Sequence, residues 1–332
     1  MRGQASLRFV RFIRARKCAS TAELSPKDTG RGVSRTEKNC RQTLINGKNH
    51  EVVGIMTERM LLRSIAKQME QAGIEDALTD AGLLMGWVLD RSPLELRLSV
   101  REVPETIQTR IEDAVLRRMQ REPVQYITGE APFMGLTLMV TPDVLIPRSD
   151  TEILCEQVIA RVPRGGTLLD IGTGSGALAV ACAVLRPDVH VTAVDLSFRA
   201  LEVAKENARR QGVRVRFLQG DLTRPVEGER FDVICSNPPY IAQEERPLLS
   251  EEVLCEPEMA LFAPENGLQM YRRLADEAPG CLQPGGALLV EIGWKQKDDV
   301  SKLFARCFRQ VRALRDYGGN WRVVIAEGVM ER

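Results

Sequence analysis

From residue 150 to 330, short, largely apolar runs of strand length alternate with helix-prone stretches. The short runs are Thr167–Ile171, 190–194, 215–220, Phe231–Ser236, 287–293, 311–316 and 321–327. Their length and apolar content read as strands. Between them, Ala177–Leu185 is apolar and helix-prone, and Ser197 caps a helix that runs to Gln211 and stops at Gly212. Residues 266–281 and 298–307 read as further helices. Strand and helix in turn predict an α/β fold, a doubly wound seven-stranded sheet over residues 150–330.

The chain before this changes period. Residues 57–122 read as helices only, a small helical bundle. Ser92-Pro93 is a cap followed by proline at the first helical position. Pro104 opens a helix in which Ile107, Ile111, Val115 and Met119 recur at helical spacing, and Glu122 ends it before Pro123. In 123–149, Gly129, Pro132, Gly135 and Pro142 separate short apolar runs, which predicts a β-hairpin linker.

Residues 1–55 follow neither pattern. They hold twelve Lys or Arg against four acids, or +8, so the rest of the chain carries −7 of the net +1. The early arginines with Phe9, Phe12 and Ile13 fit a short basic amphipathic helix of the mitochondrial presequence type. A disordered tail, or an unused start upstream of Met56, accounts for the same residues. The cytoplasm is the expected compartment, with the mitochondrial matrix as the alternative if 1–55 acts as a presequence. An acidic body argues against a protein that grips a DNA backbone. No apolar run approaches the ~18 residues of a membrane helix, so no membrane partner is expected. The eight cysteines form no Cys-x-x-Cys pair and read as reduced. Only His50 and His190 exist, which leaves little room for histidine catalysis or a zinc site, and no metal is expected.

The chemistry gathers at three places. The run Phe231–Ser236 ends in Asn237-Pro238-Pro239-Tyr240. Both prolines fix φ and lack an N–H, and Asn237 is pushed into the extended region by the proline after it. Such a stiff rim shows carbonyls but few donors. It suits a planar –NH2 group, with the Asn237 side-chain oxygen and the Pro238 carbonyl each accepting one N–H and the Tyr240 ring covering the flat face. Upstream, Asp170-Ile171-Gly172-Thr173-Gly174-Ser175-Gly176 lies between a strand and a helix. Its glycines let a ligand approach the backbone, and its spacing is not the Gly-x-Gly-x-x-Gly of a dinucleotide pyrophosphate site. Asp195 and Asp221 follow the next two runs, placed for a ribose diol and an adenine amino group. Three acids at strand ends would put three acceptors on the rim where open sheets bind ligands.

Together these residues resemble a class I S-adenosylmethionine-dependent methyltransferase acting on amide or exocyclic amino nitrogen. More narrowly, the chain is similar to the protein-(glutamine-N5) methyltransferases of peptide-chain release factors, the HemK/PrmC family. The narrower match rests also on Pro123-Val124-Gln125-Tyr126-Ile127-Thr128-Gly129-Glu130, Leu145-Ile146-Pro147-Arg148-Ser149-Asp150-Thr151-Glu152 and Glu256-Pro257-Glu258-Met259-Ala260-Leu261-Phe262. The resemblance covers residues 57 to 328. Two positions depart from it: Ser149 stands where the release-factor enzymes usually have Pro, and Leu222 where some members have an aromatic beside the adenine.

The resemblance implies an antiparallel last strand and S-adenosylmethionine as methyl donor. It implies a cofactor site of Asp170, Ile171, Gly172, Thr173, Gly174, Gly176, Asp195, Asp221, Leu222 and Asn237, with Asn237, Pro238 and Tyr240 catalytic. Substrate contacts would add Pro239, Phe133 and Arg148. The substrate implied is the glutamine of a Gly-Gly-Gln loop in a class-1 release factor, methylated by a monomeric enzyme whose residues 57–122 recognise the factor's body. A purely structural role for that bundle stays open. So do packing for Phe133 and, for Arg148, either an ion pair or a hold on Asp170 or the substrate backbone. Glu291 reads as structural and Lys295-Gln296-Lys297-Asp298-Asp299 as a solvated helix start. A ribosomal-protein glutamine methyltransferase is the nearest alternative. An adenine-N6 DNA methyltransferase shares the rim motif but needs a basic cleft and a target-recognition region. An inactive S-adenosylmethionine-binding regulator would be expected to carry a damaged rim, and a dehydrogenase explains neither loop nor rim.

Overall fold

The computed structural model describes residues 56–330. The basic segment 1–55, with its presequence and tail readings, lies outside the described residues.

Seven strands form one sheet: β3 Thr167–Ile171, β4 His190–Asp195, β5 Arg216–Gln219, β6 Phe231–Ser236, β7 Leu282–Glu291, β8 Phe308–Arg315 and β9 Trp321–Val329. Their order is β5-β4-β3-β6-β7-β9-β8. Strands β3 to β7 pair in parallel, and β9 is antiparallel to both neighbours. The largely apolar runs follow from a two-sided core. Successive side chains on a strand point to opposite faces, so Leu168, Val233, Cys235, Leu289 and Ile325 enter one core. Their neighbours Leu169, Ile234, Leu288, Val290 and Val324 enter the other.

Two boundaries differ from the sequence reading. The strand expected at 287–293 starts at Leu282, because a short segment pairs with Phe231 before a bulge restores register at Val233 and Ala287. The helix expected from 266 starts at Gln269, because Glu265, Asn266 and Gly267 all have φ near +60 to +80° and turn the chain first.

Four helices precede the sheet: α1 Glu58–Gln71, α2 Ala77–Leu89, α3 Pro93–Leu98 and α4 Glu105–Met119. They bury a core of their own, centred on Leu62, Met69, Leu84, Met85, Ile111 and Val115. At α3, Glu95 N–H donates to Ser92 Oγ and Ser92 N–H to the Glu95 carboxylate, a reciprocal cap worth about 1 kcal/mol. The linker holds a short helix that the glycine and proline pattern did not show, α5 Val124–Thr128, and then the expected hairpin, β1 Glu130–Phe133 and β2 Leu136–Met139. Its turn residues Met134 and Gly135 both have positive φ, as a two-residue hairpin turn requires. Val124 and Ile127 pack into the helical core, while Tyr126 packs with Val140, Val144 and Ile146 on the sheet side. One turn of helix thus joins the two cores.

Polar contacts complete the connection. Buried Asn207, on the helix Phe198–Gln211, accepts from Met139 N–H at 2.6 Å and donates to the carbonyls of Met139 and Ser175 at 2.9 Å each. It fastens the hairpin to the glycine loop. Buried Arg118 donates to Asp80 at 2.7 Å and Glu252 at 2.9 Å. This network ties the helical unit to the segment that follows the Asn-Pro-Pro-Tyr rim.

Candidate active site

The strand order reverses between β3 and β6, and ligands of open α/β sheets bind outside the carboxyl ends of strands at such a point. There the structure has a cavity of about 400 Å³, within the roughly 300–1,000 Å³ of small-molecule sites. Ile171, Gly172, Thr173, Gly174, Asp195, Asp221, Leu222, Asn237, Pro239 and Arg148 all line it.

The glycine loop leaves β3 with φ of 72° at Gly172, 55° at Gly174 and 80° at Gly176. Gly172 and Thr173 N–H both donate to Val194 O, which locks the loop onto β4. A Cβ added at Gly172 or Gly174 would meet no protein atom within 4 Å, so the room beside those backbones belongs to a ligand. Gly176 works differently. It does not line the cavity, and a Cβ there would stand 3.0 Å from Ala204 Cβ, so it is glycine for close helix packing.

The three acids separate into two roles. Asp195 lines the cavity, and its two oxygens accept from Gly174 N–H and Ser197 N–H at 2.8 Å each. Burial raises its pKa while those backbone donors oppose the shift. Asp221 is paired to Arg273 through both oxygens at 2.9 Å, which lowers its pKa. It therefore offers acceptor lone pairs with its charge already balanced, which suits a neutral amino group. Asp170 departs from the expectation of a third rim acceptor. It is one residue short of the end of β3, fully buried, and accepts from Thr173 Oγ at 2.6 Å and from the Cys235 thiol. Burial pushes its pKa up to about 6. Asp170 buttresses the loop from beneath.

At the other end of the cavity, Asn237 and Pro239 form the wall. Pro238 is buried, and the Tyr240 ring packs against the second core instead of lining the cavity. The rim is propped from behind: Gln296 Nε2 donates to Tyr240 O at 2.9 Å, and Gln296 Oε1 accepts from Gly293 N–H at 3.0 Å. Gln296 is thus a structural strut inside what read as a solvated charged run. Gly267 backs the same carbonyl so closely that a Cβ would come within 2.0 Å of Tyr240 O. Gly267→Ala is expected to lower unfolding free energy by about 2 kcal/mol, from overpacking at a positive-φ site, and to slow turnover. Urea unfolding of the variant measures it.

For two residues the structure selects among the alternatives left open. Phe133 is 1% exposed and sits in the first core, because the hairpin's alternation turns it inward. It does not wall the cavity. Arg148 pairs with Glu256 and makes no contact with Asp170. Glu256 also accepts from Ile146 N–H at 2.9 Å, so it pins the segment that carries Arg148. Sequence reasoning missed Arg273, whose role at Asp221 arises only from distant segments meeting. It also missed Leu196, 57% exposed on the cavity wall beside Asp195, although an apolar residue directly after the acid was a visible signal.

The cavity therefore has a nucleoside-type end of glycine loop, acids and apolar wall, and a reacting end that accepts hydrogen bonds and contains no strong base. That division of labour, on a sheet with an antiparallel last strand, defines an S-adenosylmethionine-dependent methyltransferase. Residues 149–267 match the model of the methyltransferase small domain, and residues 60–129 match that of the PrmC N-terminal domain. The release factor glutamine methyltransferase of Moorella thermoacetica is 41% identical over 280 residues, covering 82% of this chain and 98% of its own length. That of Salmonella typhimurium is 43% identical over 249 residues, covering 74% and 90%. That of Geobacter sulfurreducens is 40% identical over 255 residues, covering 76% and 89%. The chain belongs to the release factor glutamine methyltransferase family.

Proposed function

We propose that the protein methylates the side-chain amide nitrogen of the glutamine in the Gly-Gly-Gln loop of a class-1 release factor. The observation that carries this is the stiff wall of Asn237 and Pro239 sharing one cavity with the glycine loop and Asp195. When bound, S-adenosylmethionine supplies an electrophilic methyl group on a sulfonium. Gly172 and Gly174 would admit it against the backbone, Asp195 would accept from its ribose hydroxyls, and Asp221 and Leu222 would flank its adenine.

The protein's task is then to make an amide nitrogen nucleophilic, although its lone pair is delocalised into the carbonyl. Accepting both N–H bonds, at Asn237 Oδ1 and the Pro238 carbonyl, draws electron density toward nitrogen and fixes its orientation. Most of the rate then comes from positioning within about 3 Å of the methyl group.

Selectivity needs a second contact, because the clamp sees only an amide. The helical unit, with a core of its own and the Arg118–Glu252 link to the segment after the rim, is the module we assign to it. The test presents labelled S-adenosylmethionine and the full-length protein with whole release factor, a Gly-Gly-Gln peptide, ribosomal protein and DNA. Whole factor should be methylated with a kcat/KM at least about a hundredfold above the peptide, as expected if a remote contact worth ~3 kcal/mol is lost. Equal use of peptide and factor would make the helical unit structural only. Preference for ribosomal protein or DNA would overturn the substrate assignment.

A further inference from the structure

An asparagine amide has two ends, and only one of them can serve the clamp. If Asn237 is to accept an N–H, Oδ1 must face the cavity and Nδ2 must face away. Which way such a group points is set by its hydrogen-bond network, and that network runs from Asn237 to Thr151 on the cavity wall and on to Glu291 behind it. Asn237 Nδ2 donates to Thr151 Oγ1 at 3.2 Å, and Thr151 Oγ1 donates to Glu291 Oε2 at 2.6 Å. Thr151 opens α6 Thr151–Arg161 and Glu291 ends β7, so three elements meet at one chain of bonds. Thr151 and Glu291 are 5% and 1% exposed, so both hydrogen bonds lie within the protein.

The chain has a direction. A hydroxyl has one proton. An ionised carboxylate can only accept, so the Thr151 proton is committed to Glu291. The Thr151 oxygen then has only lone pairs left for Asn237, which must answer with its –NH2. We propose that Thr151 and Glu291 form a polarity relay that fixes the Asn237 amide with its oxygen toward the substrate, making both of them positioning residues for methyl transfer. The inference rests on the reading of Asn237 as the amide acceptor.

Protonation of Glu291 would undo the arrangement. A carboxylic acid can donate to Thr151, which frees the hydroxyl proton to seek Asn237 Oδ1. The amide then turns, and two –NH2 groups face each other. The groups around Glu291 are the Arg322 guanidinium on β9, itself paired with Asp316 and Asp150 at 3.0 Å each, the Asp150 carboxylate, and the Tyr240 and Tyr271 phenols. Burial outweighs the help of Thr151 and Arg322 and lifts the Glu291 carboxyl to about 7. The accepting, ionised form is therefore present above that pH and lost below it.

The experiment uses the full-length protein and whole release factor. Thr151→Val, which keeps shape but removes the hydroxyl, should lower kcat about tenfold, one hydrogen bond's worth, with S-adenosylmethionine affinity unchanged. Thr151→Ser should restore most of the rate. Glu291→Gln should lower kcat similarly and abolish the acid limb that wild type shows near pH 7. A second readout needs no ligand: the Asn237 side-chain –NH2 signal in 15N NMR should shift with the Glu291 titration in wild type and stay fixed in Glu291→Gln. If Asn237→Ala is inactive while Thr151→Val and Glu291→Gln keep wild-type kcat and pH profile, the relay is wrong and the clamp stands. A Thr151→Ser variant as slow as Thr151→Val would show that packing is at work, and overturns the relay too. An active Asn237→Ala would remove the clamp and the relay together.

Discussion

Asn237→Ala is expected to reduce methyl transfer by about a hundredfold or more while S-adenosylmethionine still binds within a few-fold of wild type. The reason is geometric. Asn237 stands at the end of β6 on the cavity wall, with its –NH2 held by Thr151, so its oxygen is the end left for the substrate. Losing one well-placed hydrogen bond at a reacting centre costs roughly 3 kcal/mol. The substitution truncates a partly exposed side chain next to two prolines that hold the backbone regardless, so the fold should survive it. Single-turnover rates set beside calorimetric titration with S-adenosylmethionine decide the matter. Normal turnover in the variant would sink the clamp.

The second large effect is expected at the other end of the cavity. Asp195→Ala should weaken S-adenosylmethionine binding at least tenfold, since a hydrogen bond to a charged group is worth roughly 1.5–3 kcal/mol. Part of the loss would be indirect. Asp195 also accepts from Gly174 N–H, so the variant frees a loop whose three glycines have little conformational restraint of their own. Asp195→Asn separates the two contributions. It keeps one oxygen for the loop while giving up the charge, and should fall between wild type and Ala. The same calorimetry run with NAD should show no binding to the wild type. Unchanged S-adenosylmethionine affinity in Asp195→Ala, or tight NAD binding, would contradict the assignment of this end.

The comparison of Asp170 with Asp195 shows what local sequence can and cannot say. Both are acids near the C-terminal end of an apolar run, and from the chain alone both belong on the rim. Asp195 ends its strand and looks into the cavity. Asp170 lies level with Ala193, two residues below Asp195 on the same face of the sheet, so it sits deeper, where Thr173 and Cys235 hold it beneath the loop. Two residues along a strand are about 6–7 Å, enough to separate an acid on the rim from one in the core. For Phe133 the deciding factor is the alternation of faces, which turns it from the expected substrate pocket into the core.

What the sequence by itself determined was everything encoded at short range. Strand-length runs alternating with helical stretches dictate a doubly wound sheet, a capping residue and a glycine bracket a helix, and Gly-x-Gly-x-Gly makes a loop whose backbone a ligand can approach. Asn-Pro-Pro-Tyr stiffens a rim through proline geometry alone, before any tertiary contact. Tertiary structure decided whatever depends on segments far apart in the chain. Arg273 meets Asp221 across 52 residues, Thr151 meets Glu291 across 140, and Arg118 meets Glu252 across 134. None of these pairs has a local signature, because a carboxylate or a hydroxyl looks the same in the chain whether it faces water or a buried partner. Its role is fixed by desolvation and by the donors that surround it. Those are set only when the sheet closes and the loops at its carboxyl edge come together.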